Sequence, residues 1–257
     1  MTGIIVIPEG EHSLTVGPSS AERALNCLAS VTLPGPSPHT EYAAEGTAAH
    51  TLSEWVRNER KHASHWRGKV LQVGEYTFKV GKAMIEGVMS FVEACESLPG
   101  VPMVEARVAY EELVPGGFGT LDDARMVDGT CVITDLKYGK GVEVRAADNM
   151  QLKLYALGLY FTYGWAIDFD KFVLRISQPR RDIFEEWPTT LGKLLEWGYD
   201  WVRPRARIAL AGSTDFKAGA WCKFCKWKTE CPTRARYKAE YERSPEAPQE
   251  AFVNLDS

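Results

Sequence analysis

The order of periodicities in the middle of the chain restricts the fold more than any other feature. Three consecutive strands are predicted by the alternating or β-branched runs "MVEARVAY", "GFGTLDDARMV" and "CVITDLKYG", with a turn at "DGT" between the second and third. Helical spacing of apolar residues precedes them at residues 81–98 and follows them at residues 145–164, before a fourth strand near residues 169–179. This order predicts an α/β core with a small mixed sheet flanked by helices.

Size and charge limit the classes of function. A chain of 257 residues can bury a sizeable core, and its net charge of −4 means that a nucleic acid would have to meet a local basic patch. The first apolar run, "IIVI", is four residues long and is followed by proline, so it does not predict a secretory leader. No run approaches the roughly 20 apolar residues of a membrane span. We therefore expect an intracellular protein without membrane association.

The third predicted strand ends on two charged residues. Asp135 and Lys137 are two positions apart, so their side chains leave the same face of the strand. An Asp-x-Lys pair is a weak signal by itself, because a surface ion pair at a strand end explains it equally well. The chain even holds a second copy, Asp215 and Lys217, in a loop rich in glycine, serine and alanine.

A further carboxylate on the preceding strand strengthens the functional interpretation. The tight turn at "DGT" places the strand of "GTLDDA" beside that of Asp135. Converging carboxylates repel each other and need a cation, and hard oxygen ligands suit Mg²⁺ or Mn²⁺. Adjacent strand residues face opposite sides, so only one of Asp122 and Asp123 can point at Asp135. The strand pattern leaves open which one does.

Together these residues resemble the RecB-like branch of the PD-(D/E)XK nucleases. That branch carries Gly-x-x-x-His before the sheet, Gly-x-x-Asp and Asp-x-Lys on successive strands, and Gln-x-x-x-Tyr on the next helix. Each motif is loose, but all occur here in that order, as Gly46–His50, Gly119–Asp122, Asp135–Lys137 and Gln151–Tyr155.

The resemblance implies a restriction-endonuclease-like core of order αβββαβ, followed by a C-terminal helical and iron–sulfur segment. It implies a catalytic set comprising Asp122, Asp135, Lys137, Gln151 and Tyr155. It also implies Mg²⁺ or Mn²⁺ bound by His50, Asp122, Asp135 and the backbone carbonyl of Leu136. Read alone, His50 is more simply an ordinary helix histidine, whereas Gln151 would be an unusual core residue.

Cysteine spacing predicts a second site. Three of the six cysteines crowd together as Cys222-x-x-Cys225-x5-Cys231, one thiolate short of a closed tetrahedral site. Cys27, on a short capped helix near the N-terminus, is the best candidate for the fourth ligand. Four thiolates suit either zinc or a [4Fe–4S] cluster, and the spacing does not choose between them.

The remaining two cysteines, Cys95 and Cys131, fit a helix stripe and a strand, so we expect them to be buried apolar residues. One N-terminal and three C-terminal cysteines resemble the iron–sulfur RecB-like nucleases, including CRISPR-associated exonucleases and AddB-type recombination subunits. This resemblance implies a [4Fe–4S] cluster that ties the two ends of the chain together, with zinc as the alternative. Residues 19–235 are also similar to a phage and prophage family of this nuclease type.

Basic residues beside the cysteines suggest a nucleic-acid contact. Aromatic and basic side chains alternate there, which suits single strands through phosphate contacts and base stacking. Packing of these tryptophans on the cluster is the open alternative. The predicted DNA-binding residues are Lys223, Lys226, Trp227 and Lys228, together with Arg180 and Arg181 after the fourth strand.

The function implied is that of a metal-dependent DNA exonuclease in phage recombination or DNA processing, in the cytoplasm of a bacterial host. Its partners would be DNA ends or single strands and, because the chain has no ATPase motif, a single-strand annealing protein or helicase. Two alternatives stay open: an inactive DNA- or partner-binding module on the same fold, and a zinc-stapled nucleic-acid-binding protein. The predicted divisions are an N-terminal segment at 1–40, a nuclease core at 41–185, a cysteine segment at 186–243 and a disordered tail at 244–257.

Overall fold

The computed structural model describes residues 4–8, 13, 16–35 and 40–242. The predicted tail at 244–257 therefore lies outside the described residues. The helices are α1 (Ala21–Asn26), α2 (Glu41–Glu59), α3 (Lys82–Glu96), α4 (Met150–Tyr163), α5 (Leu191–Glu196), α6 (Arg203–Leu210) and α7 (Pro232–Glu242). The strands are β1 (Ile4–Ile7), β2 (Val70–Val73), β3 (Tyr76–Lys79), β4 (Met103–Ala109), β5 (Phe118–Val127), β6 (Thr130–Leu136), β7 (Lys171–Gln178) and β8 (Ile183–Thr190).

A five-stranded mixed sheet in the order β4-β5-β6-β7-β8 forms the centre of the fold. Strands β6 and β7 are parallel and the other neighbours are antiparallel. The prediction of an α/β fold with a small mixed sheet is confirmed. The edge strand β8 was not predicted; it contains Pro188, which an edge position tolerates. The predicted core boundary at residue 185 falls inside this strand.

Helix α4 is apolar around its circumference because it is covered on more than one side. It packs on the sheet through one face and against α1 and α5 through others. The larger hydrophobic core lies between α4 and the sheet. A second core lies on the opposite face and joins α2, α3 and the end of β6. The central sheet is therefore buried on both faces, as the apolar run of β6 requires.

A second, three-stranded sheet in the order β1-β2-β3 was not predicted. Each of its strands is four residues long, too short for a clear periodic signal. Strands β2 and β3 form a hairpin around Gly74, whose φ of 57° lies in the left-handed region. The "GE" turn between two β-branched or aromatic runs is the signal that could have found it.

The C-terminal helical segment is interrupted just before Pro204. A π-helical turn at Trp197–Val202 joins α5 to α6, and Pro204 lies in the first turn of α6, where its missing N–H is tolerated. The N-cap residue of α1 is Ser20, whose side chain makes no cap hydrogen bond; its hydroxyl donates to the Gly17 carbonyl. Within the described residues, no helix is both long and apolar enough to cross a bilayer.

Candidate active site

Three acidic residues lie in one row across three neighbouring strands of the central sheet. The register of the pairs on either side sets Glu105 of β4 opposite Asp122 of β5, and sets Asp122 opposite Asp135 of β6. Like charges placed directly opposite each other destabilise a sheet. The row therefore requires positive charge close to it.

Asp122 occupies the middle of this row and is 6% exposed. Its Oδ1 lies 3.1 Å from Nδ1 of His50 on α2. Its Oδ2 accepts a hydrogen bond of 2.6 Å from the backbone N–H of Leu136. Asp122 thus links the preceding helix to the strand that carries Asp135.

The neighbouring Asp123 serves a different purpose. It is fully buried and pairs with Arg57 of α2 and with Arg125. Arg57 also donates to the backbone carbonyl of Asp122, at 3.0 Å. Of the two aspartates that the strand pattern left open, Asp122 is the one beside His50, and Asp123 belongs to a buried ion-pair network.

Asp135 and Lys137 form the other end of the site together with α4. Nζ of Lys137 lies 2.7 Å from Oδ2 of Asp135 and donates to Oε1 of Gln151, also at 2.7 Å. The Gln151 amide donates to Oδ1 of Asp135 and to the Tyr155 hydroxyl, both at 3.0 Å. Gln151 therefore holds the lysine and the carboxylate in a fixed relation to each other.

Close packing explains one glycine of the motifs. A Cβ at Gly119 would meet Pro18 Cγ at 2.4 Å and Tyr155 at 3.0 Å, so only glycine lets β5 approach α4 this closely. At Gly46, in contrast, a Cβ would meet open space. Its role in the sequence motif is therefore not one of packing within the described residues.

The pKa shifts report an excess of negative charge. Burial lowers the pKa of His50, but the charge and hydrogen bond of Asp122 outweigh it and raise that pKa to about 9. Burial raises the pKa of Asp122, but His50 more than offsets this, and the net shift is downward. Burial and then Asp122 raise the pKa of Glu105 to about 8. Burial raises the pKa of Asp135 against the opposing effect of Lys137.

The side chains at this site fit a divalent cation. Ligand atoms of His50, Glu105 and Asp122 all lie within 4.8 Å of one another, close enough for one ion to touch all three. Oδ2 of Asp135 is buried and accepts no hydrogen bond, although Lys137 lies beside it. A nitrogen and several carboxylate oxygens are a donor set that Mg²⁺ or Mn²⁺ accepts.

Glu105 was missing from the predicted site. Within "MVEARVAY" it is one polar residue of an alternating strand, and nothing local separates it from Arg107. It joins the site only through the pairing of β4 with β5, a contact between segments that a loop separates. The available signal was the register of these two strands, which their periodicity does not determine.

The four predicted cluster cysteines line one cavity near the ends of the described chain. Burial raises the pKa of the Cys222 thiol, and the charges of Cys225, Cys27 and Cys231 add to the rise. The cationic residues around the cavity can offset thiolate charge. Those residues are Arg23, Lys217, Lys228 and Arg234.

The distances between the thiols bear on the choice of group. Among the described residues, the set found with three ligand atoms within 4.8 Å is the carboxylate–histidine set, so the thiols are spaced more widely than that. A zinc ion about 2.3 Å from each sulfur would hold the sulfurs roughly 3.8 Å apart. The four thiols that line this cavity are suitable ligands for either zinc or a [4Fe–4S] cluster. Cys95 and Cys131 are buried in the two cores, as predicted.

The predicted DNA-binding residues fall into two groups. Arg180 pairs with Glu45 at 2.5 Å and covers the Tyr138 ring, and Arg181 donates to the Lys140 carbonyl. These two arginines border the loop that follows Lys137.

In the cysteine segment, Trp227 and Lys228 line the cavity. Their position favours the alternative in which the tryptophans of this segment pack at the cysteine site instead of contacting DNA. Lys226 donates to the Gly35 carbonyl at 3.1 Å. Burial, and then Lys228, lower the pKa of Lys223. This segment therefore joins the N-terminal part of the chain as well as presenting charge.

Two comparisons relate the chain to other proteins. A family model described as "Protein of unknown function (DUF2800)" matches residues 12–254. A solved structure described as "Crystal structure of SSO0001" is similar with a TM-score of 0.40 and 13% sequence identity. That similarity covers 88% of this chain and 89% of the other.

Proposed function

We propose that this chain, which belongs to the DUF2800 family, is a divalent-metal-dependent DNA nuclease with a PD-(D/E)XK core. One observation carries the proposal: four motifs separated along the sequence converge on a single buried site. They come from α2, β5, β6 and α4, and hydrogen bonds or ion pairs join them. A set of structural ion pairs would not need this combination of imidazole, carboxylates, lysine and glutamine at one point.

The proposed cation ligands are His50, Asp122, Asp135 and the Leu136 carbonyl. Bound Mg²⁺ or Mn²⁺ would supply Lewis-acid polarisation of the scissile phosphate and a water of lowered pKa. The hydrogen bond from the Leu136 N–H and the contact with His50 fix the Asp122 carboxylate before any ion binds. Fixed ligands reduce the reorganisation that catalysis requires.

Lys137 is the proposed partner of the attacking water and of the charge that develops on the phosphate. Its side chain is 23% exposed, so it can reach a bound substrate while remaining paired with Asp135. Gln151 accepts from this ammonium and is itself held by the Tyr155 hydroxyl. Gln151 and Tyr155 would therefore orient Lys137 rather than react.

The cysteine site is proposed to hold a [4Fe–4S] cluster with a structural role. Cys27 and the 222–231 segment would be joined through it, closing the chain around the nuclease core. Four thiols suit either group, and the resemblance to the iron–sulfur nucleases favours the cluster over zinc. Arg180 and Arg181 are proposed phosphate contacts, and exonuclease action in phage recombination or DNA processing is the proposed setting.

Digestion of end-labelled linear and circular DNA by anaerobically purified protein, with Mg²⁺ or Mn²⁺, tests the proposal. We expect degradation of linear DNA that Asp122→Asn and Asp135→Asn abolish without loss of fold, as judged by circular dichroism. Resistance of circular DNA would identify an exonuclease. If the intact protein cleaves no DNA with either ion, the nuclease proposal is wrong.

The same preparations separate the alternatives. DNA binding without turnover would favour an inactive binding module on this fold. A colourless protein with stoichiometric zinc would favour a zinc-stapled nucleic-acid-binding protein over the iron–sulfur form. A brown protein with visible absorbance and stoichiometric iron would support the cluster.

A further inference from the structure

Strand β4 has an irregular backbone at Glu105. This residue has a φ of 47°, in the left-handed region, in the middle of a strand. A residue other than glycine is strained in this conformation, and it persists only where its surroundings enforce it.

The irregularity changes which face each residue occupies. Met103 and Ala106 both pack against the core under α4, although their odd spacing would put them on opposite faces of a regular strand. On β5, Leu121 and Ala124 also pack into this core despite their odd spacing. The side chains of both strands therefore change face at Glu105 and Asp122, and these two residues do not form a regular ladder pair.

The shift places the Glu105 carboxylate with His50 and Asp122. One ligand atom from each lies within 4.8 Å of the other two. Within the described part of the chain, Glu105 has neither a hydrogen bond nor an ion pair. The cationic groups that act on it are His50, a member of the same set, and Arg57, which pairs with the buried Asp123. Lys137 is engaged by Asp135 at the other end of the row.

We infer that Glu105 is a further ligand of the proposed divalent cation, which it would contact together with His50 and Asp122. The inference deepens the proposed function and rests on it only for the use of the ion. The set is not merely acidic, because it includes an imidazole nitrogen. It also accounts for a strained backbone that turns an otherwise unpartnered carboxylate towards these two groups.

Binding of Mn²⁺ alone, followed by calorimetry and by the electron paramagnetic resonance of the ion, tests the inference on the full chain with its cysteine site loaded. We expect Glu105→Gln to weaken binding by at least about tenfold. Asp135→Asn, at a ligand already proposed, should weaken binding as well. The matched control is Glu54→Gln, which removes a nearby charge that raises the pKa of Glu105 but is no member of the ligand set.

A second readout separates ligation from packing. With Mn²⁺, the stabilisation seen in wild type should be lost in Glu105→Gln, whereas the melting temperature of the metal-free protein should change little. A structural role would lower the melting temperature in both conditions. Wild-type Mn²⁺ affinity in Glu105→Gln, or an equal loss in Glu54→Gln, would overturn the inference. Neither result depends on nuclease activity, so these experiments test the role of Glu105 separately from the proposed nuclease function.

Discussion

The carboxylate site and the cysteine cavity are built in opposite ways. The first stands on neighbouring strands of one sheet and on two long helices, so ladder hydrogen bonds fix its geometry. The second joins a turn after a six-residue helix to a short 3₁₀ turn and a loop far along the chain. From this comparison we expect the first site to be organised by the protein itself and the second to depend on the group proposed to bind there.

The two sites also differ in the charged groups around them. Three carboxylates converge at the first site with one lysine and one histidine, so its potential favours a cation. The cysteine cavity is surrounded by arginine and lysine side chains, which favour thiolates and the negative charge of a thiolate-bound cluster. The predictions below test this contrast, from the largest expected effect to the smallest.

Lys137→Ala should have the largest effect. Removing the ammonium that faces the substrate should lower the nuclease rate by about 10³-fold, with little change in circular dichroism. Single-turnover digestion of end-labelled DNA measures it. Lys140→Ala is the control, because this lysine lies three residues later and is exposed. Equal losses in both variants would contradict a specific role for Lys137.

Cys225→Ser should abolish the metal content of the cysteine cavity. Because the cavity depends on its bound group, we expect loss of visible absorbance and iron, and a lower melting temperature. Cys27→Ser should give the same result, since both line the cavity. Cys131→Ala, in the core, should keep the metal. Retained iron in Cys27→Ser would show that Cys27 is no ligand.

Arg57→Ala tests the intrinsic rigidity of the carboxylate site. Arg57 and Asp123 are 4% and 0% exposed, and removing one partner leaves a buried charge, at a cost of about 3–5 kcal/mol. Chemical denaturation measures the change in the free energy of unfolding. Arg67→Ala, at an exposed arginine, should change it little. The decrease in the free energy of unfolding should be the same whether or not the cysteine cavity holds metal. A decrease seen only in cluster-free protein would contradict this.

Thiol reactivity should distinguish the core cysteines from those of the cavity. Burial raises the pKa of Cys131 to about 12 and that of Cys95 even further, so neither forms thiolate readily at neutral pH. In native, cluster-free protein, iodoacetamide should modify Cys231, which is partly exposed, before either of these. Mass spectrometry of the peptides measures the order. Early labelling of Cys95 would contradict the core assignment.

The smallest effect expected is a pH dependence of the metal-free protein. The folded-state pKa of His50 is raised to about 9, so its pairing with Asp122 stabilises the fold fully below about pH 6.5 and is lost as the pH rises through about 9. Melting temperatures across this range should fall. His50→Gln should flatten the profile, whereas His65→Gln, at an exposed histidine, should not. An unchanged profile in His50→Gln would exclude this pair as the cause.

Much of the fold followed from local patterns. Helices α2, α3 and α4 and strands β4 to β7 were predicted because their periodicity is carried by each segment alone. The short strands β1 to β3 and the edge strand β8 were not, because a four-residue strand or a strand with charges and proline has too little local signal. The motifs of the candidate site were found through their order, and the structure brings them together.

The sequence by itself determined which residue types could form a site, since side-chain period and motif spacing are properties of a continuous segment. Two copies of Asp-x-Lys looked alike at that level. Asp135 and Lys137 are held beside Asp122 and Gln151, whereas Asp215 and Lys217 are exposed in a loop. The order of the motifs already favoured the first pair, and only the tertiary structure added Glu105 to the row. The physical reason is that strand register is fixed by pairing between distant segments and by the cores on both faces of the sheet, and neither is contained in any one segment.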